Sequence, residues 1–105
     1  MIFRNNYYHK NQEKYIILKI TVKYFLEYTI ISGCREEELI FENNEVVSVK
    51  EIFKNLNIKY KIKYEDVANK GIILVNNRSI NQLDRENTVL RDGDKLLLMP
   101  MISGG

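Results

Sequence analysis

A chain of 105 residues holds one hydrophobic core and has no room for a catalytic domain beside a separate substrate domain. Apolar residues at 45% and charged ones at 29% make a globular mixture, and 16 Lys plus Arg against 14 Asp plus Glu leave a charge of +2, too small to draw the chain to nucleic acid or an anionic membrane. One Cys, one His and no Trp argue against a disulfide framework and against an autonomous zinc, haem or Cys–His site. Unbroken apolar runs reach only four residues, as at Ile72 to Val75, so the expectation is a soluble cytoplasmic protein with no membrane partner.

Residues 1–14 are Asn-rich and lack apolar periodicity, which predicts a flexible extension with room for a short additional strand at Phe3 to Tyr8. From Ile16, the residues Leu18, Ile20, Val22 and Tyr24 alternate with Lys19, Thr21 and Lys23, the period-two signature of a half-buried strand. Phe25 to Ile31 is compatible with a helical turn or with continuation of that strand. After Ser32-Gly33, the segment Glu36 to Glu42 sets Leu39, Ile40 and Phe41 among acids and reads as a hairpin partner of the first strand. The acidic run Glu36-Glu37-Glu38 reads as a solvated face.

Ser48-Val49-Lys50-Glu51 is a capping box, in which the Ser hydroxyl accepts from the Glu51 N–H while the Glu carboxylate reaches back to the Ser48 N–H. Val49, Ile52, Phe53 and Leu56 then recur at helical spacing, and Asn57 is the expected end. Ile58 to Lys70 is polar, and within it Lys59, Lys61 and Lys63 alternate with Tyr60, Ile62 and Tyr64, which reads as a strand or loop with one solvated face. Interleaved Lys59 to Tyr64 resembles a grip for single-stranded nucleic acid, but Glu65-Asp66 dilutes its charge, so no nucleic-acid partner is expected.

Ile72 to Val75 predicts a third strand ending at an Asn76-Asn77 turn, and Ser79 to Asp84 a short strand. Arg91-Asp92-Gly93-Asp94 is a second turn. Leu96 to Met99 is too continuous for a one-sided strand and belongs at a sheet centre, after which Pro100, with no N–H to donate, should stop pairing. The order predicts an α+β fold over residues 15–99: a mixed sheet around one main helix, with first and last strands adjacent and parallel. Residues 100–105 form an extended tail.

That tail, Pro100-Met101-Ile102-Ser103-Gly104-Gly105, is the part with chemical content. With five glycines in 105 residues, a terminal Gly-Gly arises by chance at roughly 0.2%. A terminal carboxylate is ionised at neutral pH and can attack the α-phosphorus of ATP to give an acyl adenylate, open to a sulfur nucleophile. Glycine suits this because, without a Cβ, the backbone passes through a narrow channel. Six extended residues reach about 20 Å at ~3.3 Å each, enough to enter a partner's active site.

The helix SVKEIFKNL, the strand and turn ILVNN, and above all DGDKLLLMPMISGG resemble the ubiquitin-like β-grasp sulfur carriers, most of all the small subunit of molybdopterin synthase. The resemblance runs from Leu18 to Gly105, and a proline four residues before Gly-Gly favours the molybdopterin branch over the thiamine branch. It implies that Gly105 is adenylated by a ubiquitin-activating-enzyme-like adenylyltransferase using ATP. A sulfurtransferase or cysteine desulfurase would supply the sulfur of the thiocarboxylate, which the large subunit of molybdopterin synthase would pass to a pterin precursor. It implies no autonomous activity and no stably bound cofactor. Gly105 would carry the sulfur and Gly104 would thread the channel. Phe25, Ile80 and Met99 would dock the partner, with core packing as the rival reading, and Pro100, Met101, Ile102 and Ser103 would bind it along the tail. The sequence departs from the family at Met101, where many members have a second proline, in a longer Ile80 to Asp92 loop, in the Lys-rich 58–70 segment and in the added N-terminus.

Other acceptors stay open on the residues alone: thiolated tRNA, a thiamine precursor, or a target-protein lysine in ubiquitin-like conjugation. A different class, a β-grasp interaction or RNA-binding module with an idle tail, is also open. Cys34 beside Arg35 has no nearby base and reads as an inert thiol, and His9 lacks companion ligands.

Overall fold

In the computed structural model, residues 8–10 and 13–101 are described, with side chains from Ile16 onward. Tyr8–Lys10 (β1) pairs antiparallel with Glu13–Tyr15 (β2), Tyr8 opposite Tyr15. Of the sequence-predicted strand at Phe3 to Tyr8, residues 3–7 lie outside the described residues.

The alternating segment forms Ile17–Tyr24 (β3), and burial follows its period: Leu18, Ile20, Val22 and Tyr24 are core residues while Lys19, Thr21 and Lys23 face the other side. Its partner is Glu36–Glu42 (β4), antiparallel, with Leu39 opposite Ile20 and Glu37 opposite Val22. Between them the open question at Phe25 to Ile31 resolves as a short helix, Glu27–Ser32 (α1), closed by Gly33 in the left-handed region at φ 80°. The chain enters α1 through Leu26 at φ 52°, ψ −121°, a conformation that L side chains rarely adopt. Leu26 is 62% exposed, so little burial is lost on truncation. Replacing it by Gly is therefore expected to raise stability by about 1 kcal/mol, relief of strain outweighing added unfolded-state entropy, read as a higher urea midpoint at unchanged slope.

Val46–Ser48 (β5) leads into the capping box, which forms as predicted: Ser48 Oγ accepts from the Glu51 N–H at 3.1 Å and Glu51 accepts from the Ser48 N–H at 2.9 Å. The helix Val49–Tyr60 (α2) buries Val49, Ile52, Phe53 and Leu56 in the same cluster as the inward residues of the sheet. It does not stop at Asn57. Lys61 adopts the left-handed conformation, φ 60°, and its N–H bonds back to Asn57 and Leu56, so α2 gains one more turn.

The Lys/Tyr segment is not a strand. Ile62 is buried, and Tyr64–Lys70 (α3) follows, with Val67 buried, Tyr64 edge-on to Phe53 at 5.5 Å, Glu65 and Asp66 in its first turn and Lys70 in its last. That charge order complements the helix dipole and was the local signal for a helix. Gly71–Val75 (β6) turns through Asn76 and Asn77, both at positive φ, into Arg78–Ser79 (β7). The predicted strand at Ser79 to Asp84 is cut short because the Ser79 hydroxyl accepts from the Asn81 N–H and starts a 3₁₀ turn, Ile80–Gln82. Val89–Arg91 (β8) pairs antiparallel with β5, a two-stranded ladder whose facing Val47 and Leu90 are both core residues.

Lys95–Pro100 (β9) is the middle strand of a five-stranded sheet ordered β4-β3-β9-β6-β7, parallel to β3 and antiparallel to β6. Leu96 and Leu98 are fully buried against the helix side, and Leu97 and Met99 are half-buried on the other. First and last main strands thus lie side by side and parallel, as the sequence predicted. Pairing does not stop before Pro100, which stands opposite Gly71; the next N–H, that of Met101, donates to the Lys70 carbonyl at 3.2 Å.

Candidate functional site

The central strand, β9, carries the chain out of the core as far as Met101, the last described residue. Leu96 and Leu98 anchor the strand from below, and its C-terminal edge is flanked on both sides. On one side the Phe25 N–H donates to the Leu98 carbonyl at 3.0 Å, continuing the parallel ladder one residue past Tyr24 and bringing Phe25 level with Met99. On the other, Ile72 pairs with Met99 and Gly71 with Pro100.

The predicted residues divide as follows. Phe25 is 44% exposed and Met101 59%, while Met99 and Pro100 are half-buried, so these four form a partly apolar rim around the exit of the chain. Ile80 does not share that exposure. At 3% it is a core residue, facing the same hollow as Ala68, Gly71 and Met101 from beneath, and the core reading of Ile80 is the correct one. Ile102, Ser103, Gly104 and Gly105 lie outside the described residues. Leu26, next to Phe25, is also exposed, in a turn at positive φ that no local sequence signal announces.

A second constellation, away from the tail, is built on Glu37. Its carboxylate accepts from the Tyr24 hydroxyl at 2.5 Å, the Tyr60 hydroxyl at 2.7 Å and the Lys59 ammonium, tying β3, β4 and the end of α2 together. Burial on its own would raise the Glu37 pKa, but the hydrogen bonds from Lys59, Tyr24 and Tyr60 outweigh it and hold the carboxyl below its ordinary value. Burial and then the bond to Glu37 push the Tyr24 phenol far up, and the bond to Glu37 raises both Lys59 and Tyr60. This is the chemistry of a structural hub, in which one carboxylate accepts from donors on two other elements. It also removes Glu37 from the solvated acidic face that the sequence suggested.

Among the described residues no group of three or more His, Cys, Asp or Glu side chains is placed to hold a metal ion, and no helix is long and apolar enough to cross a membrane. Cys34 is half-buried and takes part in no disulfide.

A mixed sheet wrapped on a capped helix, with β3 and the last strand β9 side by side and parallel, defines a ubiquitin-like β-grasp protein. Within that class, the chain belongs to the ThiS family, the ubiquitin-like sulfur carriers, with a match over residues 22–105. Among solved structures, it is similar to small archaeal modifier protein 1 from Methanosarcina acetivorans, at 24% identity and TM-score 0.69, covering 85% of this chain and 98% of that one. It is similar at 27% identity and TM-score 0.53 to a chain in the complex of subunits 1 and 2 of the molybdopterin-converting factor from Helicobacter pylori, covering 84% of this chain and 100% of that one. A third likeness, at 17% identity and TM-score 0.65, is to a chain of the BexX/CysO complex from Amycolatopsis orientalis, covering 82% and 99%. No curated protein sequence matches the chain.

Proposed function

We propose that this chain is the sulfur-donating small subunit of a molybdopterin synthase, working through a thiocarboxylate on Gly105. The observation that carries the reading is the continuity of the family match through Gly105, behind a central strand whose last residue is Pro100. The likeness to the chain in the two-subunit converting-factor complex and the spacing from Pro100 to Gly104-Gly105 favour the pterin acceptor.

The Gly105 carboxylate attacks the α-phosphorus of ATP on an adenylyltransferase, forming a C–O–P bond and releasing pyrophosphate. The outer sulfur of a cysteine persulfide on a desulfurase or sulfurtransferase then attacks the acyl carbon and expels AMP, giving an acyl disulfide; a thiol cleaves its S–S bond, forming a disulfide with the donor cysteine and releasing the terminal thiocarboxylate. Gly104 threads the channel, with Ile102 and Ser103 behind it, while Phe25, Met99, Pro100 and Met101 meet the surface of the large subunit around its mouth. The globular part contributes affinity and aim, and the reacting atoms are those of the terminus.

Intact mass spectrometry after incubation with ATP, a sulfur source and the cognate adenylyltransferase is expected to record replacement of one oxygen by sulfur. A chain lacking Gly105 should gain none; equal loading of the truncated chain would overturn the carrier chemistry. Mixing the thiolated chain with the large synthase subunit and the pterin precursor should return the unthiolated chain. A thiocarboxylate that survives that mixture but is consumed by tRNA, by a thiamine precursor or by protein lysines would overturn the acceptor while leaving the carrier chemistry intact.

A further inference from the structure

Three elements converge where β9 ends. Gly71 begins β6 in an extended conformation, φ −146°, that any residue adopts, so its backbone angles do not call for glycine. Space does. A Cβ at this position would lie 2.6 Å from the Met99 carbonyl oxygen of β9, 3.1 Å from the Tyr28 hydroxyl of α1 and 3.2 Å from the Val67 carbonyl oxygen of α3. Two of these neighbours are backbone and cannot swing away, and Tyr28 is itself buried. Because Gly71 is bare, β6 closes on the last residues of β9. Pro100 sits opposite Gly71, and Met101 donates its N–H to Lys70. The sheet therefore continues across a proline that has no N–H of its own.

Resting on the carrier reading above, we propose that Gly71 and the Lys70 carbonyl are positioning groups for the reactive terminus, clamping the backbone through Met101. A partner then has only four residues to take up, Ile102 to Gly105, which reach at most about 13 Å at ~3.3 Å each. Pro100 and Met101 are ordered before the encounter, so their conformational entropy is not lost again on binding. The clamp acts on the free carrier and is unchanged once the terminus is bound. Its loss should appear in KM and leave kcat alone.

The test is steady-state pyrophosphate release by the cognate adenylyltransferase with the full chain as varied substrate, together with hydrogen exchange at the Met101 amide. Gly71→Ala should raise KM about ten-fold, the equilibrium weight of roughly one freed residue, with kcat within about two-fold. The Met101 amide, slowed in the wild type, should then exchange at the rate of an open peptide. Because an alanine at so crowded a position can prevent folding, Met101→Pro provides a second reading at an exposed site. It removes the N–H donor and should raise KM about five-fold over Met101→Ala, which keeps it. Val47→Ala, a core change on β5 away from the exit, should lower stability without moving KM. An unchanged KM in Gly71→Ala and Met101→Pro, a fall in kcat at constant KM, or an equal rise in Val47→Ala would overturn the role. A wild type that is never adenylated would overturn the carrier reading and this role with it; an active wild type with unaffected variants would overturn only the role.

Discussion

Leu98→Ala is expected to lower the free energy of unfolding by about 3–5 kcal/mol, the largest effect of any single truncation considered in this fold. Leu98 is fully buried, stands between Tyr24 of β3 and Ile73 of β6 in the middle strand, and points at the cluster that includes Ile52 and Leu56 of α2. Removing its branched end takes away burial and leaves a void that flanking strands on both sides cannot collapse into. A domain of this size has about 5–15 kcal/mol to lose, so the variant should sit close to the edge of folding at 37 °C. Leu97, its neighbour on the half-buried outer face, provides the comparison: Leu97→Ala should cost about 1 kcal/mol. Urea titrations of the two variants at equal slope measure the difference. Equal costs would mean that the inner face of β9 is not the packed one.

What was legible in the sequence follows the strength of the local signals. β3 and α2 were readable because their apolar periods are unbroken and, for α2, because the capping box fixes the first turn. The central place of β9 followed from its continuous apolar run, since a strand with neighbours on both sides has few positions open to water. The 58–70 segment was misread because the alternation of Lys with Tyr or Ile over residues 58–64 mimics a strand. Tertiary contacts from Ile62, Tyr64 and Val67 decide it instead, and only the order of acids before Lys70 hinted at a helix. Asn57 failed as a helix end because the final turn is held from outside by the Tyr60 and Lys59 bonds to Glu37, a contact across 22 residues or more that no local rule reports.

The site divides in the same way. The position of Phe25, Met99 and Met101 at the C-terminal end of β9 was readable, because they are near in sequence to strand ends, whereas Ile102 to Gly105 lie outside the described residues. Ile80 was ambiguous because an isolated apolar residue in a turn-rich stretch gives no period, and burial alone assigns it to the core. Gly71 was invisible as anything but a loop residue. Its requirement comes from Tyr28, Val67 and Met99, which are far apart in the chain and meet only in the fold.

Glu37 supplies the other large effect. Glu37→Ala is expected to cost about 2–4 kcal/mol, because the Tyr24 hydroxyl, on a residue only 3% exposed, loses its acceptor in a place water reaches poorly. Tyr60 and Lys59 lie nearer the surface and can turn to solvent, so most of the loss belongs to Tyr24. The double variant Glu37→Ala with Tyr24→Phe should recover part of that stability, since it removes the stranded hydroxyl together with its former partner. Acid gives an independent reading. A carboxyl held below its ordinary value of 4.5 binds its proton first in the unfolded chain. The stabilisation is therefore fully present above about pH 4.5 and is lost as pH falls through the lower folded value. Glu37→Gln keeps the shape and one acceptor oxygen, and should flatten that limb of the stability profile at a cost of about 1 kcal/mol at neutral pH. Additive losses in the double variant would mean that the Tyr24 bond to Glu37 contributes no net stability, and an unchanged acid limb in Glu37→Gln would mean that the Glu37 charge contributes none.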